Sequence, residues 1–232
     1  MLSYLNFSKR LSKIQKKIKN VCKLHRRATD SVTLMAVTKN HPIEIIQYAE
    51  RAGIASIGES RVQEAFNKYR ENNKWNMKWE LIGHLQSNKV KTALQLFNRI
   101  QSVDSHKLIV RLNRICEEIQ RSSISILLQV NTANDPSKKG ILYDSTAFLL
   151  EQALKCQYIK IDGLMTIAQL SKNKDSLRHT FARLRKLKDK LSQEFGIPLK
   201  ELSMGMSYDM EDAIAEGSTL LRLGKALFNN YS

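Results

Sequence analysis

The strongest constraint on the fold of this chain is an eightfold alternation of short, mostly apolar segments with segments of helical periodicity. The apolar segments are residues 32–38, 55–57, 79–82, 99–103, 125–130, 159–165, 201–205 and 219–223. Strands that alternate with helices pair in parallel, so the order predicts an α/β protein with a single (β/α)₈ barrel of the TIM type. An open, doubly wound sheet is the alternative that the same order allows.

An extra helix is predicted before the first strand, at about residues 4–26, lying outside the barrel. Its apolar residues follow helical spacing and are Leu5, Leu11, Ile14, Ile18 and Val21. No linker or low-complexity segment interrupts the alternation that follows. We therefore expect residues 1–232 to form one domain.

Apolar runs and cysteines indicate the compartment. The longest apolar runs, residues 125–130 and 219–223, are too short to span a membrane, and the lysine-rich N-terminus lacks the apolar core of an export signal. Cys22, Cys116 and Cys156 form neither a disulfide framework nor a metal-binding spacing. We expect a cytoplasmic protein without a metal site or a membrane partner.

The formal net charge of +16 raises the alternative of a nucleic-acid binder. Such proteins concentrate basic residues in one stripe, with aromatic residues for stacking. Here lysine is spread along most of the chain. This dispersion favours solvated surfaces with some attraction for anionic ligands, and no nucleic-acid partner is expected.

Polar residues follow the predicted strands, at the ends where barrel enzymes place their active sites. They are Lys39, Glu59, Ser60, His84, Gln86, Asn88, Asp104, Asn131, Thr166, Ser207, Arg222 and Gly224. Since the strand bodies are mostly apolar, this convergence predicts a polar ligand site at the carboxyl end of the barrel.

Two groups near the chain's ends suggest the ligand. Lys39 directly follows the first strand, where partial desolvation would favour the neutral amine that attacks aldehydes. A lysine that merely extends into solvent is the alternative. Ser207 and Gly224 follow the last two strands, a common phosphate-binding position in such barrels. A phosphorylated aldehyde would bridge both groups, and either a sugar phosphate or pyridoxal 5′-phosphate (PLP) satisfies this description.

Several motifs decide between these ligands by resemblance. They are AVTK (36–39), IGESRVQE (57–64), IGHLQSNK (82–89), QSVD (101–104), GLM (163–165) and LSMGMSYDM (202–210). In this order they resemble the YggS/PROSC family of PLP homeostasis proteins, which is related to the N-terminal barrel of alanine racemase. The resemblance covers about residues 30–228. It implies a fold-type III PLP-binding barrel that holds PLP, with apo-enzymes as candidate recipients. Because the racemase's second domain is missing, we expect a monomer.

The resemblance also implies roles for individual residues. Lys39 would carry PLP covalently as a Schiff base, and Ser207 with the backbone amides of Gly224 and Lys225 would hold the phosphate. Arg222 is similar to the arginine that contacts the pyridine nitrogen. An arginine only donates hydrogen bonds, so this nitrogen would stay unprotonated and the cofactor would be a weaker electron sink. The chain also ends eight residues after Gly224, without the racemase's second domain. We therefore expect a carrier without catalytic residues, with a PLP-dependent racemase or related enzyme as the alternative.

Three positions depart from the family pattern. Ser60 replaces a common asparagine near the cofactor ring, Lys225 replaces a threonine whose hydroxyl is lost, and Asn229 replaces a glycine. We expect binding to survive with altered affinity. Lys138 matches a family loop after the fifth strand and is either a secondary amine for the aldehyde or a solvated loop lysine.

Overall fold

The computed structural model describes residues 2–72, 74–133, 139–169, 171 and 173–228. Its strands are β1 (Thr33–Val37), β2 (Ser56–Glu59), β3 (Lys78–Leu81), β4 (Arg99–Val103), β5 (Ile124–Asn131), β6 (Ile141–Leu142), β7 (Ile159–Met165), β8 (Glu201–Ser203) and β9 (Leu220–Leu223). Its α-helices are α1 (Tyr4–Leu24), α2 (Ile43–Arg51), α3 (Val62–Glu71), α4 (Val90–Leu96), α5 (His106–Glu118), α6 (Thr146–Leu154), α7 (Lys174–Phe195), α8 (Met210–Ala215) and α9 (Lys225–Phe228).

Within these described residues, eight strands close into a parallel barrel. The sheet order is β4-β3-β2-β1-β9-β8-β7-β5, and β4 also pairs with β5, which joins the two ends. The two-residue β6 pairs with β5 outside this ring. The barrel prediction is therefore confirmed, and the open doubly wound alternative is wrong because β4 and β5 do not remain free edges.

The helices follow the apolar patterns of the sequence. In α7 the buried stripe includes Leu177, Phe181 and Leu184, and the helix ends at Gly196 with a φ of 64°. Before α5, Asp104 is of a residue type that favours the N-cap position, but Ser105 occupies that position and makes no capping hydrogen bond. None of the described helices is long and apolar enough to cross a membrane.

Helix α1 covers the side of the barrel where the chain ends meet. Phe7 is fully buried, stacks on Phe228 of α9 at 5.7 Å between ring centroids, and also contacts Tyr48 of α2. After the helix, the guanidinium of Arg27 donates to the carbonyls of Ile214 and Ser218, each at 2.7 Å. The extra helix is thus packed on the barrel by apolar burial and by the hydrogen bonds of one half-buried arginine.

Strand β7 approaches β8 too closely for any side chain at Gly163. An added Cβ would lie 2.0 Å from the carbonyl oxygen of Glu201. We expect Gly163→Ala to lower the free energy of unfolding by about 3 kcal/mol, measured by urea denaturation. Gly53→Ala is the comparison, because Gly53 has a φ of 72° and open space around it. Its cost should be only about 1 kcal/mol, from backbone conformation alone. Equal losses in both variants would contradict the steric explanation.

Candidate functional site

Lys39 lies just beyond the carboxyl end of β1, next to the end of β9. The two strands are paired in register, with Ala36 opposite Leu223. Lys39 is exposed, so the partial desolvation expected from the sequence is wrong in this structure. Among the described residues it has no hydrogen-bond or ion-pair partner. Its amine is therefore available to a ligand.

A second lysine, Lys68 of α3, is buried behind the turn that carries Lys39. Lys68 Nζ donates to the carbonyl of Thr38 at 2.9 Å and to carboxylate oxygens of Glu59 and Glu64, each at 2.8 Å. The Thr38 hydroxyl also donates to Glu59 at 2.7 Å. We call Thr38, Glu59, Glu64 and Lys68 the Lys68 cluster.

The Lys68 cluster fixes the turn on both sides of Lys39. Lys68 binds the carbonyl that precedes Lys39, and Glu64 accepts the backbone N–H of Asn40, which follows it, at 2.7 Å. Asn40 has a φ of 60°, a conformation that asparagine tolerates better than most residues. The cluster thereby holds the backbone of Lys39 while its side chain stays free.

Burial and charge oppose each other at the two carboxyl groups of the cluster. Burial raises the pKa of Glu59, although the hydrogen bonds from Lys68 and Thr38 oppose the shift. Glu59 is fully buried, and its Oε2 has no hydrogen-bond partner within the described chain. At the more exposed Glu64, burial alone would raise the pKa, but the bonds from Lys68 and Asn40 lower it. The positive charge of Lys68 is therefore what makes a buried carboxyl tolerable here.

The turn after β9 packs directly against β1. An added Cβ on Gly224 would lie 3.1 Å from the carbonyl oxygen of Val37. The Ser207 hydroxyl, from the loop after β8, accepts the backbone N–H of Ala226 at 3.0 Å. The amides of Gly224 and Lys225 precede the first helical hydrogen bonds of α9, and the Lys225 side chain is exposed. Ser207 therefore lies against the turn of Gly224 and Lys225, beside the end of β1.

Arg222 is buried under this turn, with only 4% of its surface exposed. Its Nη1 donates to the Ser203 hydroxyl at 2.6 Å, and its Nη2 donates to the carbonyl of Thr166 at 2.8 Å. Burial lowers the pKa of Arg222 to about 10, with nearby Asp209 opposing the shift. The guanidinium therefore remains protonated at neutral pH and acts only as a donor.

Ser60 lies in a different part of the barrel mouth. It lines a cavity of about 410 Å³ together with Arg61, His84, Lys89 and Lys139, from the loops after β2, β3 and β5. Its side chain makes no hydrogen bond to the described part of the chain. The other five residues that the sequence predicts to bind PLP lie around the ends of β1, β8 and β9. They are Lys39, Ser207, Arg222, Gly224 and Lys225.

Two predicted positions lie outside the described residues. They are Lys138 and Asn229. Sequence reasoning also missed two residues that contact the site. Lys68 had one signal, its i,i+4 spacing from Glu64, but this does not distinguish a buried lysine from the many exposed ones. Ser203 had no signal beyond its place in an apolar strand.

The barrel and the residues at its carboxyl end define a protein of the alanine racemase N-terminal type, and the profile of that domain family matches residues 11–232. The PLP homeostasis protein of Synechocystis is 40% identical over 201 residues, covering 86% of this chain and 92% of the relative. That of Aquifex aeolicus is 34% identical over 230 residues, covering 97% and 98%. The solved structure of PipY from Synechococcus elongatus with PLP bound superposes with a TM-score of 0.83 at 37% identity, covering 96% and 100%. The chain belongs to the YggS/PROSC family of PLP homeostasis proteins.

Proposed function

We propose that this protein binds PLP reversibly, limits the free concentration of this reactive aldehyde, and delivers it to apo-enzymes. The observation that carries the proposal is the position of the free Lys39 amine beside the turn after β9 and the Ser207 hydroxyl that packs on it, with the buried Arg222 below. PipY, a relative of the same fold, has been solved with PLP bound. PLP is thereby favoured over a sugar phosphate, the other phosphorylated aldehyde class.

Lys39 is the proposed covalent anchor. Its neutral amine attacks the aldehyde carbon, a carbon–nitrogen double bond forms, and the aldehyde oxygen leaves as water. Addition of water reverses the step, which suits a carrier. Lys68 is a second amine near this turn, but its three oxygen acceptors occupy it. This difference in availability supports Lys39 as the only amine of the pair that binds PLP.

The turn after β9 is the proposed phosphate site. The backbone N–H groups of Gly224 and Lys225 and the hydroxyl of Ser207 are compatible with phosphate oxygens. The contact of Gly224 with Val37 keeps this turn close to the end of β1. A side chain at Gly224 would push the turn away from the amine that the aldehyde must reach.

Arg222 would face the pyridine nitrogen. A protonated guanidinium offers only donors, so the residue keeps this nitrogen unprotonated. When bound, PLP supplies electron withdrawal from an attached amino acid, and an unprotonated ring weakens it. This supports a carrier without catalytic residues over the alternative, a PLP-dependent racemase or related enzyme. The exchange rate of amino-acid α-protons in deuterium oxide distinguishes the carrier from the enzyme. A rate above that of free PLP, removed by Lys39→Ala, would favour the enzyme.

The proposed setting is a monomer in the cytoplasm. All three cysteines are free thiols, with Cys22 and Cys116 buried, as suits a reducing compartment. Apo-enzymes that depend on PLP are the proposed partners. Size-exclusion chromatography with light scattering tests the oligomeric state.

The phosphate site predicts a strong preference for PLP over pyridoxal, which has the same aldehyde and ring without the phosphate. We expect one PLP per chain to remain after dialysis, and pyridoxal to bind at least about 100-fold more weakly, because charge-assisted hydrogen bonds are lost. Equilibrium titration followed by absorbance measures both affinities. Equal affinities would contradict the proposed phosphate site, and no saturable binding of either compound would contradict the function.

A further inference from the structure

A chain of buried hydrogen bonds leads from Arg222 towards the opposite end of the barrel. The Ser203 hydroxyl, which accepts from Arg222 at 2.6 Å, lies 2.7 Å from Gln101 Oε1. Gln101 Nε2 lies 2.8 Å from Glu80 Oε2. Arg99 then donates to both oxygens of Glu80, at 2.5 and 3.1 Å. Burial disfavours the charge of Arg99, but the carboxylates of Glu80 and Glu201 raise its pKa above the usual value.

The central bond of this chain crosses the barrel interior. Ser203 is on β8 and Gln101 is on β4, and these two strands are not neighbours in the sheet. Both residues are fully buried. The pair is therefore an internal connection between distant strands, screened from water, where a misdirected hydrogen bond is costly.

Arginines stand at both ends of this series of hydrogen bonds, and their chemistry allows only one assignment of donors and acceptors along it. Arginine can only donate, so Glu80 accepts from Arg99 and, as a carboxylate, must also accept from Gln101. The amide nitrogen of Gln101 thus faces Glu80, and its oxygen is left for Ser203. The Ser203 hydroxyl must donate to that oxygen, which leaves its lone pairs for Arg222.

We propose that Gln101 is a positioning residue for the ring end of the cofactor. By fixing the direction of the Ser203 hydroxyl, it presents an acceptor to Nη1 of Arg222 and holds the guanidinium in one orientation. The remaining N–H groups of Arg222 are then directed at the pyridine nitrogen. This inference rests on the proposed PLP function, and it assigns to Gln101 control of the ring's protonation through two intermediate residues.

Replacing Gln101 with methionine tests the proposal, because methionine has similar length without hydrogen-bonding groups. We expect Gln101→Met to retain PLP on Lys39, trapped by borohydride and located by mass spectrometry. Its PLP affinity should fall on the order of tenfold, since the Ser203 hydroxyl is no longer directed and one of the two contacts that orient Arg222 is weakened, while the contact with the Thr166 carbonyl remains. The absorbance spectrum of bound PLP should then change with pH in a range where that of the wild type is constant.

Ser203→Ala breaks the same chain at its next member, with a smaller loss of volume. We expect the same spectral change, and the double variant should resemble either single variant, because coupled residues are not additive. Gln129→Met is the matched control. Gln129 is also a buried glutamine, on β5, but it donates to the Lys139 carbonyl outside this chain of bonds.

The outcomes separate the two proposals. A wild type that traps no PLP on Lys39 overturns the proposed function. The inference is overturned if the wild type traps PLP and either Ser203→Ala or Gln101→Met has the same PLP affinity and the same spectral response to pH as the wild type. Additive effects of the two substitutions, or the same spectral change in Gln129→Met, also overturn it. If Gln101→Met does not fold, Ser203→Ala alone decides.

Discussion

Lys39→Ala is expected to abolish covalent retention of PLP. Lys39 is at the end of β1 and has no bonded partner in the described chain, whereas Lys68 is held by three oxygens. After incubation with PLP, borohydride reduction and digestion, the wild type should carry the mass of reduced PLP on the peptide that contains Lys39. The variant should carry none above background, although phosphate contacts would still allow weak, dialysable binding.

Two further variants make this result specific. Lys39→Arg keeps a positive charge near the phosphate but removes the amine, since a guanidinium is not deprotonated in proteins, and it should also fail to trap PLP. Lys200→Ala removes an exposed lysine just before β8, at the other end of the barrel, and should trap PLP as the wild type does. Undiminished trapping in Lys39→Ala would refute the proposed anchor.

Lys68→Met should have the largest effect on stability. It leaves the fully buried Glu59 without its cation and removes the donor to the Thr38 carbonyl. Breaking a buried ion pair on one side costs about 3–5 kcal/mol, and we expect a loss of this size in the free energy of unfolding at pH 7. PLP affinity should fall as well, because the turn that carries Lys39 loses its support. Urea denaturation and PLP titration measure the two effects.

The pH dependence of this loss is a sharper test. Without Lys68, burial keeps the pKa of Glu59 raised, and only the hydrogen bond from Thr38 still opposes the shift. A carboxyl with a raised folded-state pKa contributes stability below its unfolded pKa, about 4.3, and loses that contribution as the pH rises through the folded-state value. The deficit of Lys68→Met should therefore be smaller at pH 5 than at pH 8. Lys155→Met, which breaks only the exposed pair with Glu151, should cost about 0.5 kcal/mol or less at either pH. Similar losses in the two variants would rule out the role assigned to Lys68.

The barrel was predictable because strands and helices have different apolar periods, which can be read locally. The bounds of β4 and β7 agree with the sequence prediction. Closure was not readable in the same way, since open and closed sheets share one alternation. It depends on the pairing of β4 with β5, which the tilt and register of all strands decide together.

The site was predictable only as far as residue type and strand-end position carry information. Ser207 and Gly224 meet because parallel strands bring their carboxyl ends together. Buried lysine and glutamine side chains are different, because their roles depend on partners from other strands. Gln101 bonds to Ser203, 102 residues away in sequence, and no local pattern encodes such a pair. The exposure of Lys39 also differs from the sequence prediction, because exposure depends on how the neighbouring loops pack around the side chain.

Pairing of β1 with β9 has a consequence for biosynthesis. Thr33 and Leu220 are partners across the barrel seam, so Lys39 and the proposed phosphate site come together only after both β1 and β9 have left the ribosome. A nascent chain without β9 therefore has no complete pocket for PLP. A ligand that binds only the closed barrel should raise its free energy of unfolding by about 2.7 kcal/mol at a hundredfold excess over the dissociation constant, so PLP bound across the seam would keep the first and last strands together.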